Sequence, residues 1–195
     1  MISARYSFPI TSPGAILREE KRNGTALGLE ADKITSQGRL LPDETVVTLV
    51  QSWLAQHNGE FIFDGFPRSR GQADALGDIL QKRNTPLDVV IALDAGLDTL
   101  RSRVASRMVC TRCGQIVSAG LQVEGPESSC PKCGGALTRR NDDTPEVLDA
   151  RMREYAEKTE PLIAYYEERR LLRRVDSTRT PDLVFASIAS ILESE

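Results

Sequence analysis

None of the five lysines in this 195-residue chain follows a glycine. The Gly-x4-Gly-Lys-Ser/Thr loop that wraps nucleotide phosphates is therefore missing from it. No stretch approaches the ~18 apolar residues of a membrane-spanning helix. The first eight residues hold one arginine and no apolar run, which argues against a secretory signal. There is no internal repeat and no low-complexity tract. A net charge of -3 gives no general attraction to nucleic acid or to an anionic membrane. These absences predict a cytoplasmic protein, in which the four cysteines are reduced.

Charged residues make up 27% of the chain and hydrophobic residues 40%, an ordinary globular composition. The length suits one well-buried domain plus a small insert. The basic side chains are lopsided, with twenty arginines against the five lysines. Arginine grips phosphate with a bidentate fork, so the bias fits oxyanion recognition; genomic base composition explains it equally well.

Helical patterns are expected at Ser12–Asn23, Leu27–Gln37, from Pro42 onward, at Arg70–Arg83, Leu97–Arg107, Pro145 to about Arg170, and Thr180–Leu192. Ser12 is placed to cap the first, with Pro13 at its opening position. Strands are expected at Glu60–Asp64, Val89–Leu93 and Leu172–Asp176. The run Val89-Val90-Ile91-Ala92-Leu93 is apolar without alternation, as in a strand covered on both faces. Strands alternating with helices imply an α/β fold with a parallel sheet and right-handed crossovers. The pattern breaks between Met108 and Asp143, where Gly, Ser, Pro and the cysteines cluster.

Cys110-x2-Cys113 and Cys130-x2-Cys133 form two tight knuckles, each followed by glycine. Four thiolates at this spacing suit a closed tetrahedral zinc site of structural type. The alternative, two disulfides, is disfavoured in a reducing compartment. Zinc would staple an insert too small to build a core of its own. The insert has no aromatic residue, and Arg112 and Lys132 are matched by Glu124 and Glu127. That argues against a nucleic-acid-binding zinc ribbon.

Asp64-Gly65-Phe66-Pro67-Arg68 lies at the carboxyl end of a strand, the edge where open α/β sheets bind ligands. Gly65 permits close backbone approach, and Pro67 fixes the turn that aims Arg68. Arg103 and Arg107 are four apart in a helical pattern and so are expected on one face. Arg139, Arg140, Arg151 and Arg153 follow the insert. Any one pair is explained by a solvated, salt-bridged helix face. Together with Arg68 they read as a converging phosphate site.

These motifs resemble those of adenylate kinases over essentially the whole chain, from about Tyr6. Asp64-Gly-Phe-Pro-Arg68 with Gln72 is similar to that family's monophosphate-binding signature. The four-cysteine insert resembles the zinc-bearing lid of some bacterial members. The segments Phe8–Arg18 and Gly38–Asp43 resemble those that open the AMP-binding helices and receive the AMP base and ribose. The resemblance implies a P-loop-kinase-like parallel sheet with flanking helices. It also implies a helical AMP-binding insert over about 12–41, a core at 1–105 and 144–195, and a zinc-ribbon lid at 106–143.

It further implies roles. Arg18 and Arg68 would hold the AMP phosphate, and Gln72 would read the adenine. Pro13, Arg39, Leu40, Leu41, Gly65, Phe66 and Pro67 would line the AMP site. Arg107, Ile116, Val117 and Arg179 would serve ATP. Arg140 and Arg151 would bridge the phosphates, touching AMP as well, and Arg103 would support the donor side. The implied partners are ATP, AMP and ADP, with Mg²⁺ accompanying ATP and zinc in the lid. Neither nucleic acid nor a membrane is an expected partner.

Two departures stand out. Ser12-Pro13-Gly14-Ala15 replaces the family's usual Ser-Thr-Gly-Asp, removing a hydroxyl, a backbone N–H and a carboxylate. Met1–Arg5 aligns with the tail of the helix after the phosphate loop, so the family's first strand, central in its sheet, is expected to be missing. A monomer with exposed sheet edges prone to association follows. A late start codon, a fragment and a non-catalytic nucleotide-binding descendant each account for this, and the intact arginines favour a recent or artificial loss.

Overall fold

The computed structural model describes residues 1–35, 37, 39–118, 129–139 and 143–194. The chain opens with a short helix α1 (Ile2–Tyr6) and a two-residue strand β1 (Ile10–Thr11). Three helices follow, α2 (Pro13–Arg22), α3 (Ala26–Thr35) and α4 (Asp43–Ala55). Strand β2 (Ile62–Phe63) leads into α5 (Arg70–Lys82), and β3 (Val90–Asp94) into α6 (Leu97–Ser106). After an insert come α7 (Pro145–Glu154), a π-helical turn (Tyr155–Thr159), α8 (Pro161–Glu168), β7 (Leu172–Asp176) and α9 (Pro181–Leu192).

Two parallel pairs make up the main sheet structure. β1 pairs with β2, Ile10 opposite Ile62 and Thr11 opposite Phe63. β3 pairs with β7 from Val90–Leu172 to Asp94–Asp176. No ladder joins the pairs among the described residues. The hydrogen bonds identify the open edges. Ile62 and Asp64 donate their N–H groups to Pro9 and Thr11, at 2.9 and 2.8 Å, so the backbone of Phe63 faces away from β1. Val90 donates to Leu171 at 2.9 Å and Asp94 accepts from Ser177 at 2.8 Å, so Ile91 and Leu93 face away from β7.

Helices hold the pairs together where no ladder does. Ala73 of α5 packs with Leu162, Tyr165 and Tyr166 of α8, against Leu87, Val90, Leu171 and Leu172. Tyr165 donates its hydroxyl to Asp74 at 3.0 Å. The larger core joins α2–α5. Val50 and Leu54 of α4 are 0% and 1% exposed, and burial at that level contributes roughly 1.5–3 kcal/mol per side chain. At the other end, Arg5 and Tyr6 both donate to Glu193 Oε1 at 2.7 Å, tying α1 to the end of α9. No described helix is long and apolar enough to cross a membrane.

The helical pattern expected as one run from Pro145 to Arg170 is broken in the structure. Pro161 lacks an N–H and its ring crowds the carbonyl four residues back, at Glu157. The chain widens there into the π turn, with Glu160 N–H bonding to Tyr155 O at 2.8 Å. The extra residue rotates Tyr155 off the buried face, and it is 42% exposed while Tyr166 is buried.

The insert carries a three-stranded antiparallel sheet of β4 (Arg107–Cys110), β5 (Ile116–Ser118) and β6 (Leu137–Thr138), with β4 in the centre. Residues 119–128 and 140–142, Arg140 among them, lie outside the described residues.

Candidate active site

The residues expected to form the acceptor side lie at the end of β2. Gly65 has φ +67°, and a Cβ there would fall 2.6 Å from Arg68 Nη2. Only glycine lets the Arg68 side chain fold back over the turn, where its Nε donates to Gly65 O at 2.7 Å. Phe66 is buried in the core and the Phe66–Pro67 peptide is cis. Thr159, from the π turn, donates its hydroxyl to Arg68 O at 2.7 Å. The Arg68 backbone is thus held from both sides while part of its side chain stays exposed. Desolvation by surrounding protein pulls the Arg68 pKa down, the Asp64 carboxylate opposes this, and the charge of Arg151 adds to the lowering.

Ser69 caps α5, its hydroxyl accepting from Gln72 N–H at 3.1 Å. Gln72 is 2% exposed. Its Oε1 accepts from Arg68 N–H and its Nε2 donates to Asp43 Oδ1, each at 2.8 Å. The residue expected to read the adenine is therefore built into the wall of the site, not projected from it.

The helical arm presents Arg18 on the exposed face of α2, over Gly14. Ser12 caps this helix, with Ala15 N–H at 3.0 Å from its hydroxyl, and Pro13 stands at the first position. Arg39 is exposed and Leu40 half-buried in the connection to α4, while Leu41 is buried in the core. A side chain locked into that core leaves only the Leu41 backbone for a ligand.

Among the residues expected to serve the donor, the structure separates two that were expected to share a helix face. α6 ends at Ser106, and Arg107 is already extended, at φ -73° and ψ 129°, opening β4. Arg103 donates to Ser177 O, after β7. Arg107 pairs instead with Asp143, its Nε donating to Oδ2 at 2.7 Å. The Asp143 side chain is 1% exposed, and Arg151 Nη1 lies 3.9 Å from its Oδ1. One buried carboxylate thus stands between Arg107 and Arg151. Ile116 is 52% exposed and Val117 8%, as expected for neighbours on a strand, so only the Ile116 side chain is open to a ligand. Arg179 is exposed after β7 and borders a groove of about 560 Å³ with Arg174 and Leu183. A second cavity, about 530 Å³, lies between α5 and α8 and contains none of these site residues.

The four cysteine sulfurs lie within 4.8 Å of one another. The two knuckles repeat one design. Gly114 N–H bonds to Cys110 O at 3.0 Å and Gly134 N–H to Cys130 O at 2.8 Å. Both glycines have φ near +70°, the left-handed turn that closes each knuckle. Gly135 has a steric reason: a Cβ would fall 2.9 Å from Cys110 Sγ. Cys110 and Cys133 approach to 3.5 Å, and Cys113 and Cys130 to 3.6 Å. Sulfurs around a tetrahedral zinc at ~2.3 Å are about 3.8 Å apart, so the set fits the ion. The N–H of Cys113, then that of Arg112, draws the Cys110 thiol down to about 6 against burial. The Gly135 N–H favours a Cys133 thiolate, but the crowding sulfurs and burial outweigh it and push that thiol up to about 12.

A family model described as adenylate kinase matches residues 1–171. The chain belongs to the adenylate kinase family. An adenylate kinase of Thermodesulfovibrio yellowstonii is 39% identical over 193 residues, spanning 98% of this chain and 90% of that protein. Those of Methanococcoides burtonii and Archaeoglobus fulgidus are each 38% identical over 194 residues, spanning 98% of this chain and 90% and 89% of theirs. Set beside the roles that membership in the adenylate kinase family suggests, three residues of the site went unassigned in sequence reasoning. Ser69 had a signal, since Ser69-x-x-Gln72 is the capping-box spacing. Asp43 and Thr159 had none, because their partners lie 29 and 91 positions away.

Proposed function

We infer that this chain is an adenylate kinase, moving a phosphoryl group reversibly between ATP and AMP to give two ADP and so balancing adenine nucleotides. Family membership over nearly its whole length supports the reaction class. One geometric observation supports the site: Arg107, which opens β4, and Arg151, on α7, share the buried carboxylate of Asp143. Guanidinium groups from both sides of the insert are thereby paired through one carboxylate, which supports reading them with Arg68 as a phosphate site. Phosphoryl transfer asks mainly for positioning and for neutralising charge on the equatorial oxygens.

In this reading Arg18 and Arg68 hold the AMP phosphate. Gly65, Phe66, Pro67 and Gln72 form one wall of the AMP site. Pro13, Arg39, Leu40 and Leu41 form the other. Arg107 and Arg179 bind ATP, with Ile116 and Val117 beside them. Arg103, Arg140 and Arg151 stabilise the transferring group. Mg²⁺ bound with ATP supplies further neutralisation of the β and γ oxygens. Zinc held by Cys110, Cys113, Cys130 and Cys133 is structural, since four protein ligands leave no open position. The protein works in the cytoplasm as a monomer.

The test is a coupled assay of ADP formation from ATP and AMP, with Arg151→Ala assayed beside the parent. Activity that vanishes in the variant is expected. Activity equal in both would place turnover outside this site.

A further inference from the structure

Gln72 sits in a hydrogen-bonding chain whose polarity is chemically forced. Asp43, at the start of α4, is a carboxylate and offers only lone pairs. Its Oδ1 accepts from Gln72 Nε2 at 2.8 Å, and its Oδ2 from Ser69 Oγ at 2.5 Å. Ser69 Oγ, having donated to Asp43, accepts from Gln72 N–H at 3.1 Å. At the other end the Arg68 N–H offers only a proton, and Gln72 Oε1 takes it at 2.8 Å. Exchanging the oxygen and nitrogen of the Gln72 amide would set Oε1 against a carboxylate and Nε2 against an N–H. Two buried bonds would be lost and two repulsions made, so the amide has one orientation.

After these bonds each end of the amide retains one valence, a hydrogen on Nε2 and a lone pair on Oε1. A donor beside an acceptor, in that fixed order, matches one kind of purine edge. A 6-amino purine offers an N6–H donor and an N1 acceptor. A 6-oxo purine offers an O6 acceptor and an N1–H donor, which is the reverse order. A free amide would rotate to suit either; this one cannot.

We propose that Asp43 is a specificity-determining positioning residue, which locks the Gln72 amide in the sense that accepts a 6-amino purine and rejects a 6-oxo purine. The proposal rests on the reading of Gln72 as the group that meets the acceptor base. Gly71 is part of the device, because a Cβ there would fall 2.9 Å from Asp43 Oδ2.

The experiment is calorimetric titration of the full chain with AMP and with IMP, which share ribose and phosphate and differ only at the edge in question. Asp43→Asn keeps the size of the residue but can donate as well as accept, so the amide is freed. The ratio of IMP to AMP dissociation constants is expected to fall by about tenfold, within the discrimination of a bidentate base contact. Gly71→Ala, which displaces the carboxylate but keeps its charge, should lower the ratio less. Thermal melts check that both variants fold, and Gly71→Ala carries the test if Asp43→Asn does not. A general loosening of the site would weaken both nucleotides together and leave the ratio alone. A ratio unchanged in the folded variants overturns the proposal while leaving the acceptor site in place. Equal affinity of the parent chain for AMP and IMP overturns the acceptor reading itself, and the proposal with it.

Discussion

Asp143 and Arg107 face each other across the neck of the insert, 36 positions apart, with the Asp143 side chain 1% exposed and Arg107 Nε 2.7 Å from its Oδ2. Arg107 opens β4 and Asp143 precedes α7, so the pair closes the insert onto the main domain. Replacing Asp143 with alanine removes the buried carboxylate that Arg107 and Arg151 share. It should cost about 1.5–3 kcal/mol of stability, the range for hydrogen bonds to charged groups. Urea unfolding of Asp143→Ala measures this. A loss below about 1 kcal/mol, the ordinary worth of an exposed pair, would mean the carboxylate is wet in solution.

The purified, freshly reduced protein should contain one zinc per chain, held by Cys110, Cys113, Cys130 and Cys133. Elemental analysis finding none would refute this. Cys130→Ser should loosen the insert yet leave the main helices formed, because the metal stabilises a local unit. Circular dichroism and limited proteolysis separate those two effects.

AMP should bind more tightly than GMP or CMP. Arg68→Ala should weaken AMP by about 1.5–3 kcal/mol, the range for hydrogen bonds to charged groups. Removing the side chain gives up its bond to Gly65 O, but the backbone of Arg68 stays held by Thr159 and Gln72. Titration showing no adenine preference would count against the acceptor site.

What the sequence determined by itself is what local patterns encode. Helix periods, the Ser12 and Pro13 start, the paired cysteines with their glycines, and the Asp64–Arg68 turn all depend on neighbours a few residues apart. The two-residue strand β1 escaped notice because so short a run has no period, and it exists only through β2. Tertiary structure decided the rest. Whether Arg103 and Arg107 share a face depended on where α6 stopped, and the chain left the helix at Arg107 to pair with Asp143. Whether Gln72 projects or is clamped depended on Asp43, from a different helix. A single side chain's partners are set by packing between distant segments, and spacing along the chain carries no record of them.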